Sequence, residues 1–534
     1  MLRSRLKGLS RIAPLAAAGL LAAPCVAPAR AAAQGRPERQ TPTPPARQDE
    51  SRALRDSSAH VEAGRFAEAE RELREALRRD PRSADAHAAL GLLLARTNRG
   101  DEAVKSLEAA LRLAPGHQEA TFNLGALHAA RGDFARAVPL LERAAGVKDG
   151  RPAPPSADGR ELPAVLLLVN AYLRTGRAAE AAPLVEMVEA RGKDDPRVLN
   201  TLALTLADAR DYERAARLFR RTDELRPNDF DVLFNLGVSL FALGRHAEAQ
   251  EALRRAATLR PGDPEVFHQL ALVASARGET VNALGLWQRA VKLRPDYAEA
   301  HFMLAEELAK NRRADRALPF YERALALRPD VPVYHIRLGV AHFRLRAYAR
   351  AREVFEAGAA RFPREPALHY LVGYAARAEG LYDVAYEAFR RSLDLQPDNA
   401  AALANLGFIV GERGDHAEAE RLLRRAIALD RDNYPAHYDL GRLLVRLRRY
   451  EEAVPVLERG ASLSKTDPGV HYQLFLAYTR LRRRQDAERE LALFKQLEEA
   501  RKERDGGGPA PSMSTRGGED LPPPETAAPA RPRD

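Results

Sequence analysis

Alanine stands at positions 69, 103 and 137, and then at 181, 215, 249, 283, 317, 351, 385, 419, 453 and 487, a spacing of 34 residues with a single slip of ten. A repeat of that length is a supersecondary unit too small to bury its own apolar face, so the units must stack on one another. The frame gives thirteen units, starting at 50, 84 and 118 and, after the slip, at 162, 196, 230, 264, 298, 332, 366, 400, 434 and 468. In eleven of them the eighth residue is small: Ser57, Gly91, Gly125, Ala203, Gly237, Ala271, Ala305, Gly339, Gly373, Gly407 and Gly441. A small side chain there lets two helices approach closely. Four residues after the alanine, Phe219, Trp287, Tyr321 and Phe389 fall on the same helical face and fill the space beyond. Proline closes eight units, at 81, 115, 227, 261, 295, 329, 363 and 397, where it stops the second helix and starts a turn.

This arrangement resembles the tetratricopeptide repeat over residues 50–501. The resemblance implies an all-α fold, a right-handed superhelical solenoid of about thirteen helix-turn-helix repeats. Repeats 1–3 are expected over residues 50–151 and repeats 4–13 over 162–501, separated by a loop insert at 146–163 rich in Gly, Pro and charge. The unit from 162 departs from the pattern with Val169 and Val188 at usually small places. The last unit carries Phe475 and Phe494 there and reads as an end cap, finished by a charged helix extension to about 504.

Outside the repeats the composition changes. Residues 1–33 carry Arg3, Arg5, Lys7 and Arg11, then a mostly apolar run from Ile12 to Ala23, then small residues around Ala31, the pattern of a cleaved secretory signal peptide. The run is shorter than the roughly 20 apolar residues of a membrane span. A periplasmic or secreted location is therefore expected, with no integral span after signal removal. Lipid attachment at Cys25 is the alternative, opposed by Pro24 directly before it. Segments 34–49 and 506–534 lack hydrophobic period and are expected to be disordered tethers. Cys25 is the only cysteine, so the mature chain would hold neither disulfide nor thiolate metal site. Loss of the signal lowers the formal charge from +10 to +5, with Arg spread beside Glu along the second helices, which argues against a nucleic-acid partner.

No HExxH, GxxxxGK[ST], GxSxG or GxGxxG motif occurs, so neither enzymatic activity nor a cofactor is expected. His87, His301, His335, His369, His437 and His471 all hold the fourth place of their units. Neighbouring helix axes lie about 8–10 Å apart, too wide for a shared zinc with nitrogens at about 2.0–2.1 Å. The ladder reads as packing, and no metal site is expected.

In the resembled family the inner groove is lined by the first helices, at the second, fifth, sixth, ninth, twelfth and thirteenth places. Carried onto this sequence, the groove residues are Phe122, Asn123, Phe234, Asn235, Phe241, Gln269, Phe302, Phe343, Tyr370, Tyr374, Asn405, Phe408, Tyr438 and Tyr472. Amides can hold an extended peptide backbone irrespective of its side chains, while aromatic rings act as anchors. No unit pairs Lys at the fifth place with Asn at the ninth, so a carboxylate clamp for chaperone tails is not expected. The function expected is a non-enzymatic interaction scaffold with a protein or peptide partner. The alternative is an accessory subunit for envelope polysaccharide or outer-membrane assembly, in which the rings would stack on sugars.

Overall fold

The computed structural model describes residues 45–148, 151–152 and 161–504; the signal segment and the tail 506–534 lie outside them. The protein is all-α, with 26 helices among the described residues. Each repeat supplies a first helix, such as Pro332–Arg344, and a second, such as Tyr348–Arg361. Ser83, Asp195, Asp229, Asp263, Asn399, Asn433 and Asp467 cap first helices by accepting a hydrogen bond from an N–H of the first turn. Pro196, Pro264 and Pro468 open three of these same helices, and Pro332 and Pro366 open two without a side-chain cap, at a position where the missing N–H costs nothing.

The turn between the two helices repeats one backbone device. The fifteenth residue of every unit has a positive φ: Gly64, Gly132, Gly176, Gly244, Gly278, Gly380 and Gly414, with Asn98 and five arginines, Arg210, Arg312, Arg346, Arg448 and Arg482, at the equivalent places. Beyond that turn the helices close on the small eighth residue. A Cβ on Gly91 would lie 2.6 Å from Leu107, on Gly373 2.9 Å from Phe389, and on Gly407 2.8 Å from Leu423. The large residue four places after each alanine therefore sits directly under the small one, and a methyl group there would displace it.

Neighbouring repeats are joined by polar bonds as well as by the apolar stripe. Arg99 donates to Glu102 in its own helix and to Glu70 of the preceding repeat, with Nη1–Oε1 at 2.7 Å. Arg449 does the same with Glu452 and Glu420. Tyr172 donates its hydroxyl to Glu142 and Tyr478 to Glu458, each at 2.6 Å, under the guanidinium of Arg177 or Arg483. The arginines beside glutamates thus have local work to do. The arginine–glutamate pairs are exposed, so water and salt screen them and each adds little to stability on its own.

The chain divides into two compact units, Met1–Arg277 and Gly278–Asp534, with the boundary between the two helices of the repeat that starts at 264. In the first, a core runs from Ala69 through Leu94 and Leu107 to Leu127. In the second, a core extends from Ile336 through Phe355, Phe389 and Leu423 to Ala487, and Trp287 is fully buried on Thr280–Leu293, the second helix of the repeat that starts at 264.

Two segments differ from the sequence expectation. Helix Pro45–Glu62 starts within the stretch 34–49 expected to be disordered, because Pro45 suits a helix start and good helix formers follow it. Within the 146–163 insert, expected as loop, Val147–Lys148 pairs antiparallel with Arg151–Pro152. Gly146, at φ 66°, ends the preceding helix and turns the chain into that ladder. At the other end of the array, Arg484–Arg504 runs as one helix of 21 residues, against 14 for Tyr450–Leu463 before it.

Candidate functional site

All fourteen residues assigned to a groove stand on first helices, and successive first helices pack side by side. Phe230–Ala242 meets Pro264–Ala276 in the N-terminal unit, and Ala400–Glu412 meets Tyr434–Arg446 in the C-terminal one. In the N-terminal unit Phe122, Phe234, Asn235 and Phe241 are half-buried, whereas Asn123 and Gln269 are buried. Phe234 stacks on Phe230 with centroids 5.8 Å apart, and Arg260 lies 4.0 Å from the Phe230 ring. Asn235 gives one amide proton to the carbonyl of Asp231, four residues back in its own helix. Its role as a backbone holder rests on what that bond leaves over.

In the C-terminal unit the aromatic row is split by burial. Phe343, Tyr370, Tyr374 and Phe408 are buried. Phe343 lies 5.2 Å from Tyr374, Tyr374 stacks on Tyr370 at 5.9 Å, and Tyr370 reaches Phe389 of the second helix at 5.7 Å. These rings fill the seam between neighbouring first helices. Phe302, Tyr438 and Tyr472 are half-buried. Phe302 stacks on Tyr334 at 4.6 Å, Tyr438 on Tyr434 at 6.1 Å, and Tyr472 lies 5.3 Å from Phe494. Each keeps part of its ring exposed while staying packed against a neighbouring ring.

Charged residues stand on this face too, and the sequence reading missed Arg377 and Arg442 among them. Arg377 gives Nη1–H to the amide oxygen of Asn405, whose own Nδ2 donates to the Ala401 carbonyl at 2.8 Å. The guanidinium carbons of Arg377 and Arg442 lie 4.0 and 4.9 Å from the Phe408 ring centroid. Arg442 and Arg446 share Glu412 at 3.1 and 2.9 Å, and Arg442 lies 3.6 Å from Asp439. Burial pushes the Asp439 carboxyl above its ordinary range, outweighing the attraction of Arg442 and Arg377. Burial likewise pushes the Tyr370 hydroxyl up. The signal for these residues was present in the sequence: Arg377 holds the twelfth place of its unit and Arg442 the ninth of its own, positions read there only for aromatics.

The histidine ladder has a structural task. Nε2 of His87, His301, His335 and His369 donates to the carbonyl of the proline six residues earlier, at 3.1–3.3 Å, and His437 does so to Arg431. A carbonyl only accepts, so Nε2 carries the proton, and each ring ties the start of a first helix to the preceding turn. His471 differs, with Nδ1 2.7 Å from Glu490 of the terminal helix.

Comparison with known families agrees with this architecture. Models described as tetratricopeptide repeat match residues 55–157, 162–187, 200–264, 268–332, 308–373, 366–399 and 412–471. The chain belongs to the tetratricopeptide-repeat family, whose stacked helix pairs form a scaffold suited to protein–protein interaction. Among solved structures it is similar to the APC/C hetero-tetramer Cut9–Hcn1, with 16% identity over 80% of this chain and 89% of that one, at a TM-score of 0.35. Yeast Tom70 is similar at 16% identity over 85% of this chain and 99% of that one, with a TM-score of 0.32. The MamA protein matches at 20% identity over 32% of this chain and 93% of its own, with a TM-score of 0.30. None of the curated proteins matches the chain. Among the described residues, no helix is long and apolar enough to cross a membrane.

Proposed function

We propose that the protein is a non-enzymatic scaffold that holds a peptide segment of another protein along its first helices, in the concave groove that family membership implies. The observation that carries this reading is the half-buried rings on first helices, Phe122, Phe234 and Phe241 in the N-terminal unit and, separately, Phe302, Tyr438 and Tyr472 in the C-terminal unit. Each offers apolar area already ordered by neighbours, so a peptide would gain contact at small entropic cost. Export through the 1–33 segment belongs to the same reading and places the partner in the envelope or outside the cell. An accessory role in envelope polysaccharide assembly would use the same rings, but nothing in their surroundings favours sugars.

The test is a peptide array probed with the parent, Phe302→Ala and Tyr438→Ala, each first shown by circular dichroism to be folded. Removing an anchor ring should change which peptides are preferred and weaken the best of them by about 2 kcal/mol. Unchanged preferences and affinities in both variants would remove the first-helix row as the binding site.

A further inference from the structure

Arginines on this chain usually stand against acids: Arg99 and Arg449 each hold two glutamates, and Arg352 holds Glu379 and Glu356. Arg377 is different. Its Nη1 goes to a neutral amide oxygen on Asn405, its Nε is buried without a hydrogen-bond partner, and its guanidinium lies over Phe408. Among the described residues no carboxylate stands within ion-pair distance of it. A guanidinium partly stripped of water, with Asp439 reaching it only beyond ion-pair distance, is costly, and an incoming carboxylate would relieve part of that cost by accepting hydrogen bonds from its Nη groups, the Nε being enclosed.

The surroundings add to the positive field. Arg442 lies against the same ring and Arg446 stands one turn further on; both draw on Glu412, and Arg442 also lies 3.6 Å from Asp439. Asp439, the other nearby acid, is buried. Arg377 and Arg442 are half-buried, so each keeps an open side. The stack on Phe408 and the bond to Asn405 hold the Arg377 fork in place before any ligand arrives, which favours a planar anion over a diffuse one.

We propose that Arg377, with Arg442 beside it on Phe408, seats the side-chain carboxylate of an acidic, extended peptide on the first helices of the C-terminal unit. The inference rests on the peptide-binding reading above and specifies its chemistry: the bound segment carries Asp or Glu where it crosses Phe408.

The test uses the full mature chain and fluorescence anisotropy at about 0.15 M ionic strength. The probes are two labelled, end-blocked peptides, one of alternating Gly and Glu and the other of alternating Gly and Gln. A third peptide, of Gly and Gln with a free chain-end carboxylate, separates side-chain from chain-end recognition. The parent should bind the Glu peptide about tenfold or more tightly than the Gln peptide. Arg377→Met should abolish that preference and leave Gln-peptide binding unchanged, Arg377→Lys should restore part of it, and Arg390→Ala, on the second helix of the same repeat, should leave it intact. Equal affinity of the parent for the Glu and Gln peptides would overturn the acidic specificity and leave the peptide reading standing. Binding of neither would count against both. Preference for the free chain end, or tighter binding of oligothymidylate than of the Glu peptide, would also overturn the assignment.

Discussion

Asp439 is a carboxylate placed where its charge is expensive. Its side chain is buried between two first helices, 3.6 Å from Arg442, and burial outweighs that attraction in raising its proton affinity. The sign follows directly. The folded chain holds this proton more firmly than the unfolded chain, whose carboxyl titrates near about 3.9, so ionisation penalises the folded state at neutral pH. The penalty fades as pH falls through the raised value. Asp439→Asn should therefore stabilise the protein against urea at pH 7, with the gain shrinking steadily on acidification. A gain that is flat with pH, or a loss at pH 7, would show that the Arg442 contact dominates. The buried amides follow a related logic: Asn405 is satisfied from within, by Ala401 and Arg377, and so holds the Arg377 guanidinium in place.

At the level of the helix pair, the turn controls the geometry. Five repeats place arginine in the left-handed conformation that glycine adopts in seven others. An L-residue pays roughly 1–2 kcal/mol there, against about 0.5–1 kcal/mol of extra chain entropy that glycine loses on folding. Arg346 is exposed, at φ 59°, so Arg346→Gly should raise stability by about 0.5–1 kcal/mol, read as a shift in the urea midpoint with unchanged slope. The same seven glycines show how far the sequence could be read. The eighth-place residues and the alanine ladder announced the close helix contact, because only a small side chain fits above Leu107 or Phe389. The fifteenth-place turn went unread, because arginine at five of its positions hides the requirement for positive φ. Burial within the aromatic row was less legible. Phe302 and Tyr370 hold the same place in their repeats, but Tyr370 is enclosed by Tyr374 and Phe389 while Phe302 keeps an open edge. Period fixes which helix a ring stands on; its neighbours decide whether a ligand can touch it. Proline was read only as a stop, yet Pro139, Pro183, Pro319 and Pro455 lie inside second helices that continue past them.

Over the whole molecule, the export proposal stands apart from the fold, since residues 1–44 lie outside the described structure. It leads to a direct expectation: N-terminal sequencing of protein recovered from the envelope or medium should begin near Ala32 or Gln34. An intact Met1 on all of the recovered protein would exclude cleavage. The bonds that tie repeat to repeat have a further consequence for such a chain. Arg99 to Glu70 spans 29 residues, Arg352 to Glu379 spans 27, and Arg446 to the Gly411 carbonyl spans 35. Each closes as soon as one further repeat has been added, and each opens when one repeat is drawn away. Pulled from an end, such an array would pay out like beads from a string, roughly 110–120 Å of slack per repeat, with every step leaving the remainder intact. A narrow pore could then pass the chain piecewise, and the far side could rebuild it in the order of arrival.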